Sequence, residues 1–196
     1  MERYDTKTAL LVVDMQNDFA DPSGSLYVPG AEKIVEIINH EIEQATLAGA
    51  RVVYSQDWHP ESTPHFQKEG GTWPDHCIAG TWGAEFHPRL VVLEGRPRIR
   101  KGRDGGDGYS AFSVRDPRLG TTYSTELDSI LRRLGIVRVV IVGLATDYCV
   151  KETALDALRL GFAVDVPREA SGPVDLRPGD GERALESIIA AGGEVY

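Results

Sequence analysis

The sequence predicts an α/β fold with a mainly parallel sheet, and three observations carry that expectation. Short apolar runs of strand length recur along the chain, and segments with helical spacing of apolar residues separate them. The lengths of both suit βα repeats. Several runs also end in a polar or reactive residue, the arrangement of sheets that bind ligands outside the carboxyl ends of their strands. Ala9 to Val13 is the first such run, read as a buried strand, with Asp14 at its end. A loop of turn formers follows from Asp18 to Gly30. From Ala31 the apolar residues fall at Ile34, Ile37, Ile38, Ile42 and Ala45, which is helical spacing, and Gly49 supplies the stop. Arg51 to Ser55 is the second strand, leading into Asp57, and a third is expected at Arg98 to Arg100, just before Lys101. Ser124 stands where it can cap a helix carrying Leu127, Ile130, Leu131 and Leu134, which Gly135 closes. Val137 to Val142 is the clearest strand, and Val150 to Leu160 the next helix. Phe162 to Val166, a helix from Glu182 to Ala191 and a terminal strand over Glu194, Val195 and Tyr196 complete the alternation.

A chain of 196 residues with 41% hydrophobic content is expected to form one domain, residues 1–196, around one core. Its formal charge of -9 would repel phosphate backbones and anionic lipid heads, so neither nucleic acid nor a membrane surface is an expected partner. The two cysteines, Cys77 and Cys149, do not make a disulfide framework and suit a reducing compartment. Residues Met1 to Asp5 lack the apolar stretch of a signal peptide, and no apolar run reaches the roughly 20 residues of a membrane helix. A soluble, cytoplasmic protein is the expectation.

Asp14, Asp57, Lys101 and the segment holding Cys149 each follow one of the first four expected strands, so four polar or reactive residues converge on one sheet edge. A cysteine near a helix start is more often a buried small residue than a nucleophile. A thiol titrates near about 8.5, and a helix N-terminus lowers that by at most roughly 1.5 units. A cation and a base would complete the activation; Lys101 can be the cation and Asp14 the base. Residues 57–97 lack periodicity and hold four of the five histidines, a composition that favours function over disorder. Asp57 and His59 lie two apart, so in extended chain they point to one side, and His76 follows in the same region. Two histidines and a carboxylate make a common metal set with open positions. His65 lies between them, with its ligand role open; His87 and His40 read as structural or exposed, and Cys77 as a buried structural thiol.

The segments LLVVDMQNDF (Leu10 to Phe19), SQDWHP (Ser55 to Pro60), WPDHCIAGT (Trp73 to Thr81), KGRDGGDGYSAF (Lys101 to Phe112) and GLATDYCVKETALDA (Gly143 to Ala157) together resemble the isochorismatase-like cysteine hydrolases, and within them the nicotinamidase (pyrazinamidase) family. The match runs in order from about residue 8 to 166. DMQNDF is shared across the superfamily and does not choose a substrate. The resemblance implies a six-stranded, mainly parallel sheet with helices on both faces, and a triad of Asp14, Lys101 and Cys149. It implies a cis peptide at Leu144-Ala145, with the Ala145 and Cys149 N–H groups forming an oxyanion hole. It further implies that Phe19, Trp73 and Tyr109 pack around the substrate ring. By the same resemblance Asp57, His59 and His76 hold a divalent metal on the pyridine nitrogen. Zinc heads the candidates, and iron and manganese also suit the ligands. The implied reaction is hydrolysis of nicotinamide to nicotinate and ammonia through a thioester, in a protein that can self-associate. The stretch between Lys101 and Tyr109 is longer and richer in glycine than in some relatives, and Pro173 to Gly181 carries no readable motif.

The rival readings are a relative acting on a different small amide or on a vinyl ether, a non-heme iron oxygenase using the two-histidine, one-carboxylate set, and a binding protein without activity. The oxygenase leaves Asp14, Lys101 and Cys149 unexplained, and the intact triad speaks against the binding protein.

Overall fold

Runs of β-branched and aliphatic residues pair into parallel strands where helices can cover both faces. In the computed structural model, which describes residues 3–196, the elements run in the order β1 (Thr8–Val13), α1 (Asn17–Ala20), α2 (Ala31–Leu47), β2 (Arg51–Asp57), β3 (Arg98–Lys101), β4 (Ser113–Arg115), β5 (Thr122–Ser124), α3 (Leu127–Arg133), β6 (Arg138–Leu144), α4 (Lys151–Arg159), β7 (Ala163–Val166), β8 (Ser171–Gly172), α5 (Asp180–Ala190) and β9 (Glu194–Val195). Met1 and Glu2, at the start of the amino-terminal segment read above, lie outside the described residues. The main sheet has the order β3-β2-β1-β6-β7-β9, with β8 added to the end of β6, and every pairing in it is parallel. β4 and β5 form a separate antiparallel pair.

The strands divide their side chains between two cores with the period of two that a pleat imposes. Leu10, Val12, Val52, Tyr54, Val140 and Val142 share a cluster with Ile34, Val35, Ile38, Ile42 and Ala45 of α2. Ala9, Leu11, Val13, Val53, Ile99, Val139 and Ile141 pack instead with Leu131 of α3, Ala154 and Ala157 of α4, and Leu185 and Ile188 of α5. Each large aliphatic side chain buried this way contributes roughly 1.5–3 kcal/mol, which fixes strand register. The helices thus lie on both faces. α2 follows β1 on one face and α4 follows β6 on the other, although β1 and β6 are neighbours. The connections part there, which opens a crevice beyond the ends of these two strands.

Four details differ from expectation. The sheet has seven strands, because the two-residue β8 is too short to show as an apolar run. Ser124 is the last residue of β5 and caps nothing; Thr125 Oγ1 accepts the Leu127 N–H at 3.2 Å. α4 starts one residue later than its periodicity suggested, because Thr146–Val150 is wound as a wider π turn that carries Cys149. Asp57 and Lys101 are the final residues of β2 and β3, so the sheet's own ladder fixes their backbones. Among the described residues no helix is long and apolar enough to cross a membrane.

β6 ends at a tight place. Gly143 has φ +117°, and a Cβ there would lie 2.0 Å from the Val13 carbonyl oxygen on β1. Both the conformation and the contact require glycine. Gly143→Ala is therefore expected to cost about 2–6 kcal/mol, adding backbone strain to overpacking. Urea denaturation measures this, and a loss under about 1 kcal/mol contradicts the packing described.

Candidate active site

The DMQNDF segment leaves β1 and turns sharply, with Asp14 at φ +50°. Each of its polar residues has a separate structural task. Gln16 donates from Nε2 to the carbonyls of Asp57 (2.7 Å) and Ala84 (2.9 Å), and its Oε1 accepts the Asp57 N–H at 2.8 Å. Asn17 donates to the Trp82 carbonyl at 2.7 Å. Asp18 accepts the N–H groups of Cys77 (2.7 Å) and Ser25 (3.1 Å). One short segment thereby ties β1 to the long irregular region after β2. Asp14 stays free for chemistry and is fully buried.

The Lys101 ammonium, also buried, is the centre of the site. It donates to Asp14 Oδ2 at 2.6 Å and to the Tyr109 carbonyl at 2.9 Å, and lies 3.0 Å from Asp57 Oδ1 and 3.4 Å from Cys149 Sγ. Ser55 donates to the other Asp14 oxygen at 2.7 Å. Burial raises the Asp14 carboxyl above its ordinary range, against the pull of Lys101. Asp57 is instead held well below that range: burial opposes ionisation, but Lys101 and the nearby histidines outweigh it. Lys101 is raised, because the two carboxylates outweigh the desolvation of its charge. A raised Asp14 and a firmly charged Lys101 make a proton acceptor beside a fixed cation.

The thiol corrects one expectation. Lys101 does act to lower the Cys149 pKa, but burial dominates and Asp14 and Asp57 add to it, so the thiol is raised well above its ordinary value. It rests protonated, with a carboxylate oxygen of Asp14 within 4.8 Å of the sulfur. The arrangement suits removal of the proton by Asp14 as the sulfur attacks.

Beside this cluster, His59, His65 and His76 each bring a ring nitrogen within 4.8 Å of the others. Asp57 Oδ2 lies 3.9 Å from Nε2 of both His59 and His76. The Asp57, His59 and His76 set is thus brought together, and His65, whose role the sequence left open, joins it as the third histidine. Among the described residues, both ring nitrogens of His59 are buried without a partner. His76 Nδ1 is 2.8 Å from the Pro74 carbonyl and His65 Nδ1 is 2.7 Å from Asp107 Oδ1, which leaves Nε2 of each for another use. Burial lowers His76 to about 4, so its ring is neutral at ordinary pH. Orphaned ring nitrogens on His59, the neutral imidazole of His76 and an ionised carboxylate fit a divalent cation such as zinc, iron or manganese. His87 and His40 stand apart: His87 accepts the Arg89 N–H at 3.3 Å, and His40 is exposed.

A narrow cleft of about 40 Å³ joins the two clusters. Cys149, Ala145, Asp57, His65 and His76 open onto it, together with Phe19, Trp73 and Tyr109. Trp73 Nε1 donates to the Tyr109 hydroxyl at 3.0 Å, and Tyr148 packs edge-on against both rings at 5.1 and 5.2 Å. The Leu144-Ala145 peptide bond is cis. Reasoning from sequence missed Leu26, Val28, Tyr148 and Val174 as lining residues. Tyr148 adjoins Cys149 and was within reach of such reasoning. Val174 was not: it belongs to the segment without a motif, and Asp147 holds it there by accepting the N–H groups of Val174 and Asp175, each at 2.9 Å.

Comparison with known proteins shows the family. Residues 8–196 match the isochorismatase domain model. The chain is 37% identical to the nicotinamidase of Escherichia coli (strain K12), over 96% of this chain and 93% of that one. Among solved structures it is similar to the pyrazinamidase of Pyrococcus horikoshii in complex with zinc, with a TM-score of 0.87, 41% identity, and 97% and 98% of the two chains covered. It is also similar to PnC1 from L. infantum in complex with nicotinate, with a TM-score of 0.86, 35% identity, and 97% and 92% covered. With this sheet, this cleft and these relatives, the chain belongs to the isochorismatase domain family.

Proposed function

We propose that the protein is a nicotinamidase, hydrolysing nicotinamide to nicotinate and ammonia through a thioester on Cys149. The observation that carries this reading is the contact of Asp14, Lys101 and Cys149 beside an aromatic cleft that Cys149 shares with His65 and His76 of the histidine cluster. Similarity to nicotinamidases and to a pyrazinamidase supports the substrate class.

In the proposed reaction Asp14 takes the thiol proton and the sulfur attacks the carboxamide carbon. The N–H groups of Ala145 and Cys149, residues that both line the cleft, donate hydrogen bonds to the developing oxyanion. Asp14 then returns the proton to the departing ammonia. The same carboxylate activates water to cleave the thioester and release nicotinate. Lys101 keeps Asp14 in position and balances its charge, which matters more here than depressing a thiol that rests protonated. Phe19, Trp73 and Tyr109 enclose the ring. His59, His65, His76 and Asp57 would hold a divalent metal, which would supply a Lewis acid for the pyridine nitrogen and so orient the ring. The oxygenase alternative is not favoured. It gives no use to the buried Asp14, Lys101 and Cys149 contacts, and the similar proteins are amide hydrolases.

Two experiments test the reading. Cys149→Ala is expected to reduce ammonia release from nicotinamide by more than about a thousandfold with the fold intact, whereas Cys77→Ala is far milder. A Cys149→Ala enzyme retaining a tenth of wild-type activity rules out the nucleophile assigned. The second compares nicotinamide with benzamide, which lacks the ring nitrogen. Metal removal by a chelator is expected to slow nicotinamide hydrolysis far more than benzamide hydrolysis, because misplacing a reacting group by about 1 Å can cost 100-fold. Equal losses for the two amides would point to a metal acting on the carbonyl instead.

A further inference from the structure

The proposed chemistry leaves unused a carboxylate that contacts the histidine cluster. Asp107 lies in the glycine-rich stretch between Lys101 and Tyr109, and its Oδ1 is 2.7 Å from His65 Nδ1. The imidazole is buried while the carboxylate is about one-third exposed, with side-chain exposures of 7% and 34%. The same Oδ1 accepts the Gly108 N–H at 2.7 Å, which by itself would make Asp107 an ordinary turn residue. Two features argue for more. The backbone of Asp107 is already clamped to Arg115 of β4 by a reciprocal pair of hydrogen bonds, each 2.6 Å, so the loop does not need the carboxylate to hold its course. That clamp also aims the carboxylate at a histidine whose other nitrogen is left for the cluster with His59 and His76.

An imidazole that donates from Nδ1 must carry its lone pair on Nε2. We propose that Asp107 is a positioning residue: its carboxylate holds His65 in the Nδ1–H tautomer, so that Nε2 completes the divalent-metal site formed with His59, His76 and Asp57. The inference rests on the metal reading of that cluster. Asp107 does for His65 what the Pro74 carbonyl does for His76. It also places three tasks on one stretch of nine residues: Lys101 against Asp14, Asp107 against His65, and Tyr109 against Trp73. The β4–β5 hairpin, outside the main sheet, gains a purpose as the brace for that stretch.

Zinc affinity, measured by competition with a fluorescent chelator, tests this on the full-length protein. Asp107→Ala is expected to weaken zinc binding by about 10–100-fold, the usual effect of losing such a carboxylate partner. Asp107→Asn keeps an oxygen that can accept from Nδ1 and is expected to lose less than Asp107→Ala. Imidazole nitrogen NMR of the metal-free protein at mildly alkaline pH gives a readout that loop packing alone would not move: wild-type His65 shows the Nδ1–H tautomer, and Asp107→Ala shows a mixture. Zinc affinity within about twofold of wild type in Asp107→Ala overturns the proposal, and so does an Asn variant as weak as the Ala variant. A wild-type spectrum with the His65 proton on Nε2 overturns it without any variant. If His59→Ala binds zinc as well as wild type does, the metal reading itself fails and this inference falls with it. Loss in His59→Ala but not in Asp107→Ala sinks the inference alone.

Discussion

A buried ammonium shared between two carboxylates and a thiol is the constraint on which the rest of the site depends. Lys101 is 1% exposed, and an isolated charge in such a place would be neutralised or drawn to the surface. It stays charged because Asp14 and Asp57 face it from the ends of the two neighbouring strands of its half-sheet. Those carboxylates in turn need Lys101, since two negative charges this close would otherwise repel. Asp57 has a second oxygen, turned towards the histidines, so one residue both touches Lys101 of the proposed triad and belongs to the candidate metal cluster. A cation bound there would offset the second negative charge that Lys101 alone leaves over.

The fold puts this charge cluster where the chain cannot avoid it. Asp14 leaves β1 and Cys149 follows β6, the two neighbouring strands whose helices cross on opposite faces. The parallel ladder of β1 and β6 fixes where these two backbones leave the sheet, and loops supply the aromatic walls, histidines and the Val174 segment. The Cys149 thiol, raised by burial, then depends on the base beside it for its reactivity. Proposed catalysis here relies on a pre-set proton path through Asp14 more than on a standing thiolate.

Much of this was legible in the sequence because the strands are continuous apolar runs that end in a charged residue. Asp14, Asp57 and Lys101 could be placed on one edge without coordinates for that reason. Quoted motifs marked Cys149, His59 and His76 through resemblance. What escaped had no local signal. β8 is two residues long, Ser124 looked like a cap but lies in a strand, and Val174 depends on Asp147 more than twenty residues earlier. His65 was named as a possible ligand, but its contact with Asp107 forms only after the chain has folded back over forty residues. The sign of the thiol shift was missed because charge alone was weighed at the sequence level, and burial decides it.

Urea denaturation of Lys101→Met tests the central claim most directly. Methionine keeps much of the length and removes only the charge and its hydrogen bonds, so Asp14 and Asp57 are left as buried carboxylates without a counter-ion. Stability near neutral pH is predicted to fall by about 3–5 kcal/mol, the cost of breaking a buried ion pair from one side. A Lys101→Met protein within about 1 kcal/mol of wild type would mean that Lys101 is not what holds the two carboxylates in place.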